Sequence, residues 1–138
     1  MEDSAFVGTW QLVSFEYRDP DGTIRYPSGK GAVGRLIYSP GGRMAVQIMN
    51  PDRPLLSIEE GAGNDPQAVW AVLRGYIAYF GTYTVDWEAG IVTHHAEGSL
   101  LGNNLDGSRK RHFILEGDRL TLRTRPEEVG GLAWQRVE

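Results

Sequence analysis

Arg35-Leu36-Ile37-Tyr38-Ser39-Pro40-Gly41-Gly42-Arg43-Met44-Ala45-Val46-Gln47-Ile48-Met49-Asn50 decides the fold. Both arms are short, rich in residues that favour pleated backbone, and patterned with period two, as a strand with one wet and one dry face requires. Between them, Pro40 fixes φ and Gly41-Gly42 supply permissive backbone, so the arms fold back on each other as a hairpin. The same grammar recurs on both sides. Asp19-Pro20-Asp21-Gly22 precedes it, and Trp87-Glu88-Ala89-Gly90, Asn103-Asn104-Leu105-Asp106-Gly107 and Glu116-Gly117-Asp118 follow, each between period-2 segments. Strands are expected at 8–18, 23–27, 33–39, 43–50, 81–87, 91–100, 108–116, 119–125 and 131–137. Nine short strands at near-regular spacing, punctuated by many of the 18 glycines, predict an all-β antiparallel barrel of about 8–10 strands.

One segment departs from this plan. Asp65 can cap a helix, Pro66 suits its first position, and Val69, Trp70, Leu73, Tyr76, Ile77 and Phe80 recur at three- and four-residue spacing, which predicts one amphipathic helix over 65–80. The Pro- and Gly-rich stretch 50–64 before it is the expected lid or mouth loop.

The 138 residues fit a single domain, 1–138, with one core. Hydrophobic residues at 41% and charged residues at 23% are globular values, and no apolar run approaches the roughly 20 residues that span a bilayer. Neither disorder nor a membrane partner is expected. A net charge of -4 without a basic stripe argues against nucleic acid. The absence of cysteine removes thiolate chemistry, and the acidic start Met1-Glu2-Asp3-Ser4 has no apolar signal region, so cytoplasmic residence is expected. No phosphate-cradling Gly loop, Gly-x-Ser-x-Gly elbow or His-Glu-x-x-His is present.

Specific residues then resemble a family. Val7-Gly8-Thr9-Trp10 looks like the Gly-x-Trp signature of lipocalin-related barrels, and Trp134-Gln135-Arg136 offers the Arg that stacks on that Trp to close the barrel floor. Gly34–Tyr38, the Met44–Met49 strand leading to Arg53-Pro54, Tyr79-Phe80-Gly81-Thr82-Tyr83 and Thr93–Leu100 together resemble bacterial and fungal lipocalin-like domain proteins, many of them near secondary-metabolite pathways. The resemblance runs from about Phe6 to Val137. It implies a lipocalin-like barrel that works from its inside, without implying a shared catalytic motif. Leu101–Asn104 departs from the family, whose members often carry a Pro and a Trp there.

Candidate chemistry follows from strand parity. His94 and His95 are adjacent on a strand, so only one faces the interior. His94 shares its face with Val92 and Ala96, which favours His94 as the inward residue. The opposite assignment would place His95 and Glu97 inside as an acid–base pair. Arg111 shares parity with Phe113 and Leu115; turned inward, it needs a partner such as Glu97, Tyr38 or a ligand carboxylate, phenolate or enolate. Tyr38, Tyr76, Tyr79 and Tyr83, with Met44 and Val46, complete the expected ligand-binding wall alongside His94, Arg111 and Phe113. Each has a plain reading too, as barrel filling or as a rim Arg paired with a surface acid. The three histidines His94, His95 and His112 cannot make a three-His metal cluster while two of them diverge, so neither metal nor other cofactor is expected. Three functions stay open: a binder of a small, largely apolar, aromatic or polyketide-like molecule; a cofactor-independent cyclase, isomerase or dehydratase with His94 as acid–base and Arg111 and tyrosines orienting the substrate; or a structural or dimerisation module with a filled barrel. A homodimer is open under each of them.

Overall fold

The computed structural model describes residues 2–56, 65–101 and 108–138. The strands are β1 (Gly8–Arg18), β2 (Ile24–Arg25), β3 (Val33–Tyr38), β4 (Arg43–Met49), β5 (Tyr76–Asp86), β6 (Ile91–Ser99), β7 (Ser108–Glu116), β8 (Arg119–Arg123) and β9 (Val129–Arg136), with one helix, α1 (Pro66–Arg74). All pairings are antiparallel, and the order β2-β1-β3-β4-β5-β6-β7-β8-β9 closes through β1 on β9. Eight strands make a closed barrel, and the two-residue β2 extends the end of β1. Closure pairs β1 with β9, so neither of these strands is left as a free edge.

The opening hairpin behaves as its pattern requires. In β4, Met44, Val46 and Ile48 are buried while Arg43, Ala45 and Gln47 face water, and β3 buries Leu36 and Tyr38 opposite them. Gly42 takes φ 82°, and the Ser39 N–H donates to the Arg43 carbonyl at 2.8 Å, which closes the turn. The other turn expected at 103–107, and the part of the expected lid at 57–64, lie outside the described residues.

The predicted helix is cut short. α1 stops at Arg74, and Tyr76, Ile77 and Phe80, read by spacing as its apolar face, belong to β5, which starts five residues before the expected 81. Two periods compete over 76–80, and tertiary pairing decides: Tyr76–Thr82 lies in unbroken register against Met49–Arg43 of β4. Gly75 ends the helix, and its carbonyl accepts from the Asn50 N–H at 2.8 Å. Asp65 caps the start by accepting from the Gln67 N–H. What remains of the helix buries no residue, and Trp70 is 51% exposed, so α1 does not build the core.

One end of the barrel is plugged. Phe6, fully buried, meets Tyr38, Phe113 and Trp87 edge-on at 5.5, 5.0 and 5.5 Å between ring centroids. Trp10 donates from Nε1 to the Phe6 carbonyl at 2.9 Å, and the Arg136 guanidinium lies 4.3 Å from the Trp10 ring. Arg136 also donates to the carbonyls of Val7 and Ala5 and pairs with Asp118 at 2.8 Å. A planar cation with five donors can stack and satisfy several acceptors at once, which a lysine cannot.

Candidate functional site

β6 carries the central side chain, and its register sets which way that side chain points. Thr82, Tyr83 and Thr84 of β5 pair with His95, His94 and Thr93, but beyond Gly81–Ala96 the next pair is Phe80–Gly98. Glu97 is therefore the extra residue of a β-bulge. Before the bulge His94 points inward; after it the parity flips, so Ser99 shares the inner face with Tyr79 while Gly98 faces out under the Phe80 ring. An uninterrupted alternation over 91–100 would put Ser99 on the face of His95 and Glu97; the bulge moves it to the other face. A Cβ on Gly81 would lie 1.9 Å from the His95 carbonyl oxygen, so the close approach at the bulge requires glycine.

His94 is 2% exposed and held on both sides. Its Nε2 is 2.5 Å from the Tyr38 hydroxyl and its Nδ1 2.7 Å from the Tyr79 hydroxyl. Burial, reinforced by the nearby positive charges of Arg111 and Arg109, pushes the imidazole down to a pKa of about 3. The ring is thus neutral at physiological pH, with one N–H and one bare nitrogen. One tyrosine donates to the bare nitrogen and the other accepts from the N–H. Burial likewise raises both phenols, Tyr38 strongly, so all three groups stay uncharged. His95 points outward to Thr84, Oγ1 to Nε2 3.0 Å, and Glu97 is exposed.

Below this chain of hydrogen bonds lies a cavity of about 80 Å³, lined by Phe15, Leu36, Val46, Ile48, Ile77, Tyr79, His94, Arg111, Leu122, Leu132 and Trp134. It shares Ile77, Tyr79 and Arg111 with a cleft of about 310 Å³ at the rim, which adds Tyr76, Ala78, Ser99, Leu100, Leu101 and Arg109. Arg109 sits directly across from His94 on β7 and stacks its guanidinium 4.0 Å from the Tyr79 ring centre. Arg111 donates to the carbonyl of Lys110 at 2.9 Å. Among the described residues neither arginine has a carboxylate partner, since the ion pairs are Arg25–Asp19 and Arg136–Asp118.

The wall expected from sequence therefore divides. Val46, Tyr79, His94 and Arg111 line the cavity. Tyr38 stands behind His94, while Met44, Tyr83 and Phe113 pack in or against the core away from the cavity lining. Tyr83 donates to the Ser39 carbonyl at 3.0 Å. Tyr76 is on the outward parity of β5, donates to Gln47 Oε1 at 3.0 Å, and touches only the cleft. Arg109 was legible, because it shares parity with Arg111; Ile77 was hidden by its assignment to the helix. Trp134 entered the reading only as a neighbour of Arg136, yet it lines the cavity. Among the described residues no three His, Asp or Glu side chains converge as a metal site would need.

A closed antiparallel barrel that keeps an apolar hollow with a few polar groups at its mouth is of the class that encloses small molecules. The family model of the lipocalin-like domain matches residues 7–137, and the chain belongs to that family. Membership points to ligand binding in general. No curated protein matches the chain.

Proposed function

We propose that the protein binds a small, largely apolar molecule, aromatic or polyketide-like in the manner of secondary metabolites, with one end in the barrel and the rest in the cleft above it. The observation that carries this is the hollow beneath Tyr79 and Arg111: nine of its eleven lining residues are aliphatic or aromatic, and it opens beside a cleft of about 310 Å³. A cleft of that size is at the lower end of the roughly 300–1,000 Å³ of small-molecule sites. A wholly filled barrel, the structural-module reading, has less support for the same reason.

Catalysis by His94 as a general base also has less support. Both its nitrogens are engaged by tyrosines, and a proton taken up there would create a buried cation near Arg109 and Arg111. His94 serves better to hold the Tyr79 hydroxyl in place.

Binding is tested with the neutral fluorescent probe N-phenyl-1-naphthylamine and with native mass spectrometry of protein purified from its own host. The expected result is probe fluorescence, or a retained small molecule, in the wild type and loss of both in Val46→Trp, which fills the hollow. Equal signals from the two proteins would sink the proposal.

A further inference from the structure

The polar groups of this site share one property. Arg109 and Arg111 bring positive charge to the mouth with no carboxylate among the described residues to neutralise it. Arg109 reaches Ser99 Oγ only at 3.5 Å, and Arg111 is occupied by a single backbone carbonyl. Deeper in, Trp134 is 1% exposed and lines the cavity, and its Nε1 donor has no hydrogen-bond partner among the described residues. Leaving a buried donor unmade costs about 1–3 kcal/mol. Every other buried polar side-chain atom among the described residues has a partner, so the one unmet donor belongs to a residue of the cavity wall. The site thus offers donors and cationic charge, while among the described residues no carboxylate lines either the cavity or the cleft. A ligand that meets such a lining must present acceptors, and at the mouth a negative one.

We propose that the bound molecule carries an oxyanion on a planar carbon, either a carboxylate or the ionised enol or phenol of a conjugated system, seated between Arg109 and Arg111 beside the Tyr79 hydroxyl, with its apolar body directed into the barrel. This rests on the reading that the barrel binds a small apolar molecule. Guanidinium is suited to the task, because its fork donates two parallel hydrogen bonds to a planar oxyanion and is weakly hydrated enough to work in a half-buried cleft. The stack of Arg109 on Tyr79 holds one fork in place before the ligand arrives. His94 fixes the Tyr79 hydroxyl from behind.

The test compares acids with their primary amides, which match them in shape but lack charge and add donors: benzoate, 2-naphthoate and decanoate against benzamide, 2-naphthamide and decanamide, by titration calorimetry at low and high salt. At least one acid is expected to bind about tenfold or more tighter than its amide, with the gap closing at high salt. In Arg109→Met/Arg111→Met the preference is expected to vanish, the acid losing about tenfold or more in affinity relative to its amide, and Arg109→Lys/Arg111→Lys is expected to restore part of it. 4-Nitrophenol separates the two oxyanion sources, since its visible absorption reports ionisation: bound phenolate, with the ionisation displaced to lower pH, assigns the enol or phenol class, and its absence alongside acid binding assigns carboxylates. Acid and amide binding equally well would overturn the oxyanion inference and leave apolar binding intact. No binding by any of the six up to about 1 mM, together with no N-phenyl-1-naphthylamine signal, would overturn both.

Discussion

The Tyr38 hydroxyl lies 2.5 Å from His94 Nε2, a buried hydrogen bond between residues 56 positions apart, on strands separated by β4 and β5. Only a closed barrel brings these two together across its interior, so the bond belongs to the tertiary fold. It also makes the fold sensitive to pH. His94 titrates near 6.5 when unfolded and near 3 when folded. As pH falls below 6.5 the unfolded chain takes up a proton that the folded chain refuses, so stability is full above 6.5 and is lost steadily toward 3. Between pH 6.5 and 5 the wild type is expected to lose about 2 kcal/mol from this group. Urea unfolding across that interval checks it: the slope should be present in the wild type and absent in His94→Gln, whatever the variant's overall stability.

The two tyrosines flanking His94 have unequal consequences. Tyr38→Phe and Tyr79→Phe each leave a buried imidazole nitrogen unpaired and are expected to cost about 1–3 kcal/mol. Their costs should not add, because the neutral ring needs one donor and one acceptor, and losing either lets the tautomer and rotamer readjust. Only Tyr79 lines the cavity and cleft. Ligand affinity should therefore fall in Tyr79→Phe and hold in Tyr38→Phe, which parallel calorimetry on the two variants decides.

Phe6 shows how the far end is sealed. It lies ahead of β1, yet is fully buried against three aromatic rings and offers its carbonyl to Trp10. Phe6→Ala should destabilise the protein by about 3–5 kcal/mol, the usual cost of emptying a packed aromatic site. Denaturant unfolding reads that loss. A cost below about 1 kcal/mol would mean that the floor is held by Trp10 and Arg136 without it.

The barrel was readable because its signals are local and repeated. Pro40-Gly41-Gly42 and Glu116-Gly117-Asp118 each specify a reversal within a few residues, and period-2 burial in β4 follows from the residues themselves. The start of β5 was not readable, since Tyr76-Ile77-Ala78-Tyr79-Phe80 satisfies both helical and strand spacing, and only pairing with β4 selects one. At the site, parity was enough to favour His94 and Arg111 as inward residues, because each is one strand step from buried apolar neighbours. Which tyrosines reach the hollow was not, because Tyr83 and Tyr79 share parity on β5 and differ only in their height along the barrel, set by register with strands far away in sequence. Trp134 Nε1 was equally hidden. An unmet donor is visible only when all its neighbours are known.

The bulge at Glu97 gives the sharpest structural prediction, because its parity switch sets how Tyr79 and Ser99 sit relative to His94. Gly81 faces the point where β6 crowds inward, and an added Cβ would meet the His95 carbonyl carbon at 2.8 Å and the Glu97 nitrogen at 3.0 Å as well as the carbonyl oxygen. All three are backbone atoms, so no side-chain rotation relieves the clash. Gly81→Ala must then push β5 and β6 apart or erase the bulge. Either response costs at least the roughly 1–3 kcal/mol of an overpacked core. Erasing it would turn Ser99 outward and shift Tyr79 relative to His94, breaking the 2.7 Å bond between them. Amide exchange should show this as lost protection at Tyr79 and Ser99, with the β3–β4 hairpin unchanged. Gly98→Ala is the internal control, because there the three atoms nearest the added Cβ all belong to the Phe80 ring, a half-exposed side chain that can swing aside. If the two substitutions destabilised the protein equally and left exchange at Tyr79 untouched, the bulge would not be what orients the site.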